Sequence, residues 1–378
     1  MPEGPQRPRR GATTIEEVAR AAGVSRQTVS NALNAPHRVR PETLDRVTTA
    51  IRELGYQPDQ SARSLRSGAR RTLGYLAPVD DPLDPNPLMA GFLEALVDAA
   101  GAEGQRVLLF RPAPPAGDPV AAIDELVAAR QVDGLVLADV LAEDTRIAHV
   151  ARLGIPFVSF GRTGPGEPQH WVDIANDAAM AAVVRHLAAL GHRRIGYLGV
   201  DEELPWMAAR RAGFLAEARR LGLSAVALPG AAGEAGPAPV VHDGPADVAS
   251  DRPADGPAAR AGREEPAAPS AVAAVRALLR GPDRPTAFAA GSDLLALDVY
   301  EAVRAEGLPV GPGGVAVTGF HDTPLCRHLH PALTSVRLPL RAIAGALVGR
   351  LLGRVRGEAA PAAGLELPTE LVVRGSSG

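Results

Sequence analysis

Hydrophobic positions along the chain change their spacing near residue 70. In residues 13–56, apolar residues recur three and four positions apart, as in short helices that bury one face. From residue 72, short apolar runs alternate with longer amphipathic segments, which is the order found in parallel sheets covered by helices on both faces. The pattern predicts a small helical domain followed by a large α/β domain.

The helical domain is predicted to contain three helices. Thr14 followed three residues later by Glu17 is a capping box, which starts the first helix, and Ser25 suits the N-cap of the second. The second helix directs Val29 and Leu33 to the core and its polar residues to solvent, namely Arg26, Gln27, Ser30 and Asn31. The third helix starts at Pro41, ends at Gly55 and directs to the core Leu44, Val47, Ile51 and Leu54.

The α/β domain, residues 72–374, is predicted to hold ligands beyond the carboxyl ends of its strands, where parallel sheets place them. Its apolar runs and amphipathic segments are Thr72 to Ala77, Leu88 to Ala102, Arg106 to Phe110, Ala121 to Ala129, Gly134 to Leu137, Ile155 to Phe160, Ala178 to Leu190, Arg194 to Gly199, Val272 to Leu279, Ala287 to Ala290, Leu294 to Ala305, Val315 to Phe320, Arg341 to Val355 and Glu370 to Val373.

Three segments lack either pattern. Residues 1–12 are predicted to be a disordered arm, and residues 57–71 a hinge that is too short to form a stable helix alone. Residues 229–269 consist mainly of Ala, Pro, Gly and acidic residues, so they cannot bury enough apolar surface to offset the entropy of ordering. We therefore expect residues 229–269 to be a disordered surface insertion.

The charge is distributed unevenly along the chain. The formal net charge is -3, yet residues 1–71 carry +6 and residues 72–378 carry -9, and every basic residue is arginine. A basic head on an acidic body is expected when one end of a protein meets a polyanion such as nucleic acid.

The sequence gives little support for an exported, membrane-spanning, metal-binding or enzymatic protein. Cys326 is the single cysteine, which excludes an intrachain disulfide or a cysteine-based zinc site and fits a reducing cytoplasm. No segment has the pattern of a signal peptide or a membrane span. There is no Gly-x-Ser-x-Gly elbow and no phosphate-binding Gly-x-x-x-x-Gly-Lys loop, and the nine histidines are scattered. We therefore expect neither enzymatic activity nor a metal or other cofactor.

Five motifs, in this order, resemble the lactose/galactose repressor (LacI/GalR) family. They are Thr14–Asn34, Tyr56–Arg66, the Leu-Gly-His-Arg-Arg-Ile-Gly-Tyr-Leu-Gly run of residues 190–199, Gly319-Phe320 followed by Asp322, and the Pro-Ala-Leu-Thr-Ser-Val-Arg run of residues 331–337. The resemblance implies a helix-turn-helix headpiece, a hinge and a two-lobed body similar to periplasmic binding proteins. It places the first lobe at about 72–172 and 338–366, and the second at about 173–337 and 367–374.

The resemblance also implies a double-stranded DNA partner. Arg26, Gln27 and Asn31 carry side chains suited to bidentate contacts with guanine or adenine. Simple exposure to solvent is the alternative for Arg26 and Gln27, and the match to the whole motif favours base reading. The positions that match the family's phosphate contacts are Thr14, Ser25, Thr28 and Asn34. Helix capping would equally account for the first two. In the hinge, Leu65 would enter the minor groove as an apolar wedge, with Ala62 and Arg66 beside it.

A small-molecule effector is expected between the lobes. The matching positions are Asn86, Met89, Arg162, Asp173, Asn176, Trp206, Arg210, Ser292, Asp293 and His321. Arg210 and Asp293 are the strongest candidates, since a guanidinium and a carboxylate can each hold vicinal hydroxyls. Asp293 could instead cap a helix, and Trp206 could either stack on a ligand ring or pack between lobes. His321 departs from the acidic residue common in the family.

The function implied is a repressor whose affinity for a pseudo-palindromic operator is controlled by a sugar or related metabolite. A nucleoside or another non-hexose metabolite is the alternative effector. The resemblance implies a homodimer, and the two rival functions are an enzyme and a binding protein that recognises only the effector. Deletion of residues 1–70 distinguishes a repressor from a protein that binds only the effector. In a repressor the deletion should abolish operator binding while ligand binding survives.

Overall fold

The computed structural model describes residues 13–56, 70–77, 87–112, 118–164, 169–200, 204–228, 270–358 and 364–378. The predicted arm (1–12), nearly all of the hinge (57–71) and the insertion (229–269) lie outside these ranges, as do Ala62, Leu65, Arg66 and Asn86. The chain divides into two compact units, residues 1–70 and 71–378.

The first unit contains the three predicted helices. They are α1 (Ile15–Ala22), α2 (Arg26–Asn34) and α3 (Pro41–Leu54), and a 3₁₀ turn at Pro36–Arg38 precedes α3. Their shared core consists of Val18, Ala19, Ala22, Val29, Val47 and Ala50. The short aliphatic side chains at this core let the three helices approach closely.

Local sequence signals fix where these helices begin and end. The Thr14 Oγ1 atom accepts a hydrogen bond from the Glu17 backbone N (3.3 Å), and the Glu17 carboxylate accepts one from the Thr14 backbone N (2.7 Å). This reciprocal pair is the predicted capping box. Gly23 and Gly55 end α1 and α3 with φ angles of 65° and 60°, a conformation that glycine adopts without a steric penalty.

Two predictions about side-chain direction in this unit were wrong. Ser30 is buried rather than exposed, because it lies only about 60° around the helix from the core-facing Leu33 and so falls within the broad buried stripe of a surface helix. Leu54 is 39% exposed. It is the last residue of α3, and Tyr56 packs against the core beyond it.

Replacing Thr14 by alanine should loosen α1. The loss of an N-cap hydroxyl costs roughly 1 kcal/mol, so amide hydrogen exchange in α1 should become about fivefold faster. Exchange measured by mass spectrometry on the full chain tests this. Thr49→Ala, the same change at an exposed position inside α3, is the control and should leave α1 exchange unchanged. Equal acceleration by both variants would contradict the capping role.

The second unit contains two six-stranded sheets. The first sheet has the order β11-β5-β4-β3-β1-β2 and is parallel throughout. Its strands are β1 (Thr72–Leu76), β2 (Arg106–Phe110), β3 (Gly134–Leu137), β4 (Phe157–Phe160), β5 (Trp171–Ile174) and β11 (Gly364–Leu367). The associated helices are α4 (Pro87–Ala102), α5 (Pro119–Ala128), α6 (Thr145–Leu153) and α11 (Leu340–Val355).

The second sheet repeats this plan with the order β12-β10-β9-β8-β6-β7. Its strands are β6 (Arg194–Leu198), β7 (Ser224–Leu228), β8 (Ala287–Ala290), β9 (Ala316–His321), β10 (Thr334–Arg337) and β12 (Glu370–Val372). Only β12 runs antiparallel to its neighbour, β10. The helices are α7 (Asn176–Ala189), α8 (Pro205–Arg220), α9 (Ala271–Arg280) and α10 (Asp293–Ala305), with a 3₁₀ turn at Pro324–Arg327.

The chain passes between the two sheets three times, after β5, β10 and β11. β5 pairs with β4 and β11, so Asp173, which the sequence placed in the second lobe, belongs to the first sheet. One large apolar cluster includes residues of both sheets, and a second cluster covers residues of the first sheet such as Leu135 and Leu137. Each crossing brings side chains from the carboxyl ends of the first sheet's strands near those of the second, which is where a cleft is expected.

Candidate functional sites

The predicted base-reading residues lie on α2. Arg26 and Gln27 are exposed and Asn31 is partly buried. The Gln27 Nε2 atom donates to Asn31 Oδ1 at 3.0 Å, which holds the two amide side chains in line. The Arg26 guanidinium lies 3.4 Å from the Glu16 carboxylate, and both side chains are exposed, so this ion pair contributes little and can be exchanged for another partner.

The predicted phosphate contacts lie at the starts of α1 and α2. Thr14 caps α1, and the Ser25 Oγ atom caps α2 by accepting a hydrogen bond from the Thr28 backbone N at 3.1 Å. The Ser25 and Thr28 hydroxyls are 2.9 Å apart. Capping is therefore present at Thr14 and Ser25, and these hydroxyl groups also border the helix N-termini, where backbone N–H groups favour anions. The side chain of Asn34 is outside the described part of the chain.

A cleft of about 510 Å³, its open mouth included, lies between the carboxyl ends of the two sheets. The residues that line it from the first sheet and its helices are Leu88, Met89, Asp139, Phe160, Gly161, Asp173 and Ile174. Those from the second sheet and its helices are Asn176, Trp206, Arg210, His321 and Leu338. The structure thus brings together six of the effector residues in the predicted set: Met89, Asp173, Asn176, Trp206, Arg210 and His321.

Arg210 is the most constrained side chain of the cleft. It is 3% exposed, and its guanidinium lies 4.7 Å from the ring centroid of Trp206 and 3.6 Å from that of Phe320. Nε donates to Asn176 Oδ1 (2.8 Å), and Nη1 donates to the Gly291 carbonyl (2.6 Å). Burial lowers the pKa of Arg210 to about 9, which still leaves it a cation at neutral pH.

Asp173 and Asn176 form the polar wall beside Arg210. The Asp173 Oδ1 atom accepts hydrogen bonds from the Ile174 backbone N (2.8 Å) and from Asn176 Nδ2 (3.3 Å). Burial raises the pKa of Asp173. Its second oxygen is 3.8 Å from Arg162 Nε, and Arg162 also pairs with Glu366 at 2.7 Å. The amide of Asn176 thereby connects the carboxylate to the guanidinium.

His321 ends β9 in a conformation that non-glycine residues rarely adopt, with a φ of 113°. Such strain costs on the order of 1–3 kcal/mol and is found mainly at functional sites. Its Nε2 atom accepts a hydrogen bond from Arg210 Nη1 at 3.0 Å. Burial, and secondarily the charge of Arg210, holds the pKa of His321 well below its usual value, so the imidazole is neutral.

Three predicted effector residues do not line this cleft. Ser292 caps α10, since its Oγ accepts from the Leu295 backbone N. Asp293 is fully buried and accepts hydrogen bonds from Ser335 Oγ (2.6 Å) and the Thr323 backbone N (2.7 Å), so its oxygens are occupied within the second sheet's unit. Arg162 reaches the site through Asp173. Sequence reasoning missed Asp139 and Phe160, although each lies at the end of an apolar run.

Four histidines make acid stability a test of this geometry. Burial lowers the pKa values of His170, His186, His192 and His321 below about 6.5, so the unfolded chain takes up protons there before the folded chain does. Stability should therefore fall as the pH drops below about 6.5. Thermal midpoints of the chain and of His321→Gln at pH 7.5 and 5.5 measure this. The variant should lose less, and an equal loss would contradict a buried neutral imidazole.

Neither a metal centre nor a membrane-spanning helix is found among the described residues. Within them, no three His, Cys, Asp or Glu side chains gather as a metal ion would require. No helix among the described residues is both long and apolar enough to cross a membrane.

Models of known families match along most of the chain. Residues 14–59 match "Bacterial regulatory proteins, lacI family", residues 84–229 match "Periplasmic binding proteins and sugar binding domain of LacI family", and residues 184–377 match "Periplasmic binding protein-like domain". The HTH-type transcriptional regulator CelR of Thermobifida fusca is 31% identical over 372 residues, covering 97% of this chain and 99% of CelR. The HTH-type transcriptional repressor CytR of Escherichia coli K12 is 28% identical, covering 97% and 96%.

Solved structures agree with these matches. A complex of the transcriptional regulator CelR with cellobiose is 27% identical, with a TM-score of 0.64 and coverage of 96% of this chain and 99% of that one. The lac repressor dimer bound to operator and the anti-inducer ONPF is 23% identical, with a TM-score of 0.74 and coverage of 97% and 99%, a likeness of fold.

A helix-turn-helix unit and a two-sheet α/β unit with a cleft define a DNA-binding regulator controlled by a small molecule. The chain belongs to the LacI family of bacterial regulatory proteins. It is therefore a transcriptional regulator rather than an enzyme, and the predicted family and fold class are confirmed.

Proposed function

We propose that this regulator reads its operator with Arg26, Gln27 and Asn31 of α2. Arg26 and Gln27 are exposed and Asn31 is partly exposed, and amide and guanidinium groups suit bidentate contacts with adenine and guanine edges in the major groove. The Gln27–Asn31 hydrogen bond favours this role because it orders both amides before DNA is bound. Thr14, Ser25, Thr28 and Asn34 contact phosphates in this proposal.

We infer that the effector is a sugar or a related polar metabolite held in the cleft. The observation that carries this inference is the buried Arg210, which is stacked on aromatic rings and lies beside the acceptors of the Asp173–Asn176 wall. Such a mixture of donors and acceptors suits hydroxyl groups, and the partly buried Trp206 offers a ring face. The cellobiose complex of the relative CelR supports a sugar. A nucleoside, whose base could also stack on Trp206, is the alternative.

The proposed mechanism couples the cleft to the DNA-binding unit through the hinge. In a homodimer, two copies of residues 13–56 would meet a pseudo-palindromic operator, while Ala62, Leu65 and Arg66 of the hinge residues 57–71 would enter the minor groove. An effector that binds one arrangement of the two lobes of residues 72–374 more tightly shifts the population towards it and so changes operator affinity. In this proposal the protein acts as a repressor in the cytoplasm.

Deletion of residues 1–70 tests the division of labour. The fragment 71–378 is a separate compact unit, so it should keep effector binding, measured by calorimetry, and lose operator binding, measured by fluorescence anisotropy. Operator affinity equal to that of the full chain would contradict the proposal.

A further inference from the structure

Arg210 is a buried cation without a carboxylate partner among the described residues. No Asp or Glu oxygen in that part of the chain lies within the 4.0 Å of an ion pair, although Asp173 and Asp293 act on Arg210 from a longer distance. The near carboxylates are engaged elsewhere: Asp173 by Ile174 and Asn176, and Asp293 by Ser335 and Thr323. A buried charge that lacks a counter-charge is costly, and a ligand that supplies one relieves the cost.

The free edge of Arg210 points to how such a ligand is held. Trp206 and Phe320 cover the guanidinium faces, while Nε and Nη1 already donate to Asn176, Gly291 and His321. Nη2 has no hydrogen-bond partner within the described ranges. Because Arg210 lines the cleft, the N–H groups of Nη2 are the donors left for a ligand.

The Arg210–His321 contact determines which atom of His321 carries the proton. A guanidinium can only donate hydrogen bonds, so the Nε2 atom of His321 must be the acceptor. In a neutral imidazole the proton then resides on Nδ1, which is a donor. His321 has no other hydrogen-bond partner in the described part of the chain. At this position the cleft therefore offers a donor where a carboxylate would offer an acceptor.

We propose that Arg210 and His321 form a donor-only subsite that selects a carboxylate-bearing sugar, such as a hexuronate or an aldonate, over its neutral counterpart. The carboxylate would accept hydrogen bonds from Arg210 Nη2 and His321 Nδ1 and would supply the missing counter-charge. The hydroxyl groups of the same sugar would face Asp173 and Asn176. This inference rests on the effector role proposed above and names the chemical class of the effector.

Matched pairs of ligands test the proposal on the full-length protein. The pairs are glucuronate with glucose, galacturonate with galactose and cellobionate with cellobiose, and the measurement is calorimetry at pH 7.5. We expect at least one acid to bind 30-fold or more tightly than its neutral partner. Equal or tighter binding of the neutral members, no binding by any member, or the same thermal stabilisation by acetate as by the sugar acids would overturn the proposal.

His321→Asp is the decisive variant, because it places a carboxylate beside Arg210. It should weaken binding of the preferred acid at least 100-fold and strengthen binding of the neutral partner. A misfolded variant would bind neither ligand, so tighter binding of the neutral sugar excludes misfolding as the explanation. If His321→Asp kept the same preference for the acid over the neutral sugar, the proposal would be overturned. Specific operator release by a neutral sugar would overturn the acid preference alone, whereas a lack of specific operator binding would overturn the proposed function itself.

Discussion

Arg210→Met is expected to abolish the response to effector while leaving operator binding intact. Methionine keeps the unbranched, apolar first part of the side chain but is shorter, so it loses the guanidinium stacked on Trp206 and Phe320 together with every donor. The two N–H groups of Arg210 Nη2 can each donate a charge-assisted hydrogen bond to the ligand, and together these contribute roughly 3 kcal/mol or more, so effector affinity should fall about 100-fold or further. Operator affinity without effector should stay within about twofold, since the DNA-reading residues lie in the other unit.

The stability of this variant is decided by two opposing effects. Removing the guanidinium leaves Asn176, Gly291 and His321 without their donor, at about 1–3 kcal/mol for each unsatisfied group. It also removes a buried cation, whose depressed pKa shows that burial disfavours the charge. These effects oppose each other, so we expect a folded protein that is moderately less stable. Calorimetry and anisotropy on one preparation measure both affinities, with Arg219→Met, at an exposed position of α8, as the control.

If Arg210→Met still released operator at the same effector concentration as the parent chain, the cleft would not be the regulatory site. If Arg219→Met lost the response equally, the effect would belong to the helix as a whole rather than to the guanidinium.

Arg26→Ala and Asn31→Ala are each expected to reduce specific operator affinity about 5- to 150-fold, since one bidentate base contact contributes roughly 1–3 kcal/mol. Affinity for random duplex should fall much less, because that binding depends on phosphate contacts and total charge. Arg26 is exposed and its pairing with Glu16 is weak, so its loss leaves no buried group without a partner. Asn31 is partly buried, and its replacement also removes the acceptor of the Gln27 hydrogen bond.

Arg52→Ala provides the matched control for charge. Arg52 is exposed on α3, so its loss removes the same charge from the same unit without touching the reading face. Anisotropy titrations at two salt concentrations should show a similar small loss for specific and random duplex with Arg52→Ala. A drop in specificity as large as that of Arg26→Ala would contradict the assignment of α2 as the reader.

The helical unit could be predicted closely from sequence because its signals are local. The capping box at Thr14, the cap at Ser25 and the glycines at 23 and 55 each act within one helical turn. The errors arose where burial depends on the exact angular position around a helix, as at Ser30, or on closeness to a helix end, as at Leu54.

The α/β unit was predicted in outline, and three of the elements that were missed have clear physical reasons. β5 and β11 are four residues each and only partly apolar, and α8 is rich in arginine, so their patterns are weak. The run Gly-Ser-Ser-Gly at residues 375–378 gave no signal at all. Yet Ser376 is fully buried, donating to the Val317 carbonyl at 2.6 Å and accepting from the Thr334 backbone N at 2.8 Å, contacts that only tertiary structure creates.

The cleft shows the same limit. Motif positions located Arg210, Asp173 and Trp206. They could not reveal that both carboxylate oxygens of Asp293 accept hydrogen bonds from Ser335 and Thr323. Nor could they show that His321 accepts a hydrogen bond from Arg210, because the two residues are 111 positions apart and meet only across the folded second sheet.

Selection of duplexes from a random pool by the purified full-length chain tests the central claim most directly. The account predicts enrichment of one pseudo-palindromic sequence, and loss of that enrichment when Arg26 and Asn31 are both replaced by alanine. Recovery of a random pool by the parent chain, or the same enriched sequence with the double variant, would contradict it.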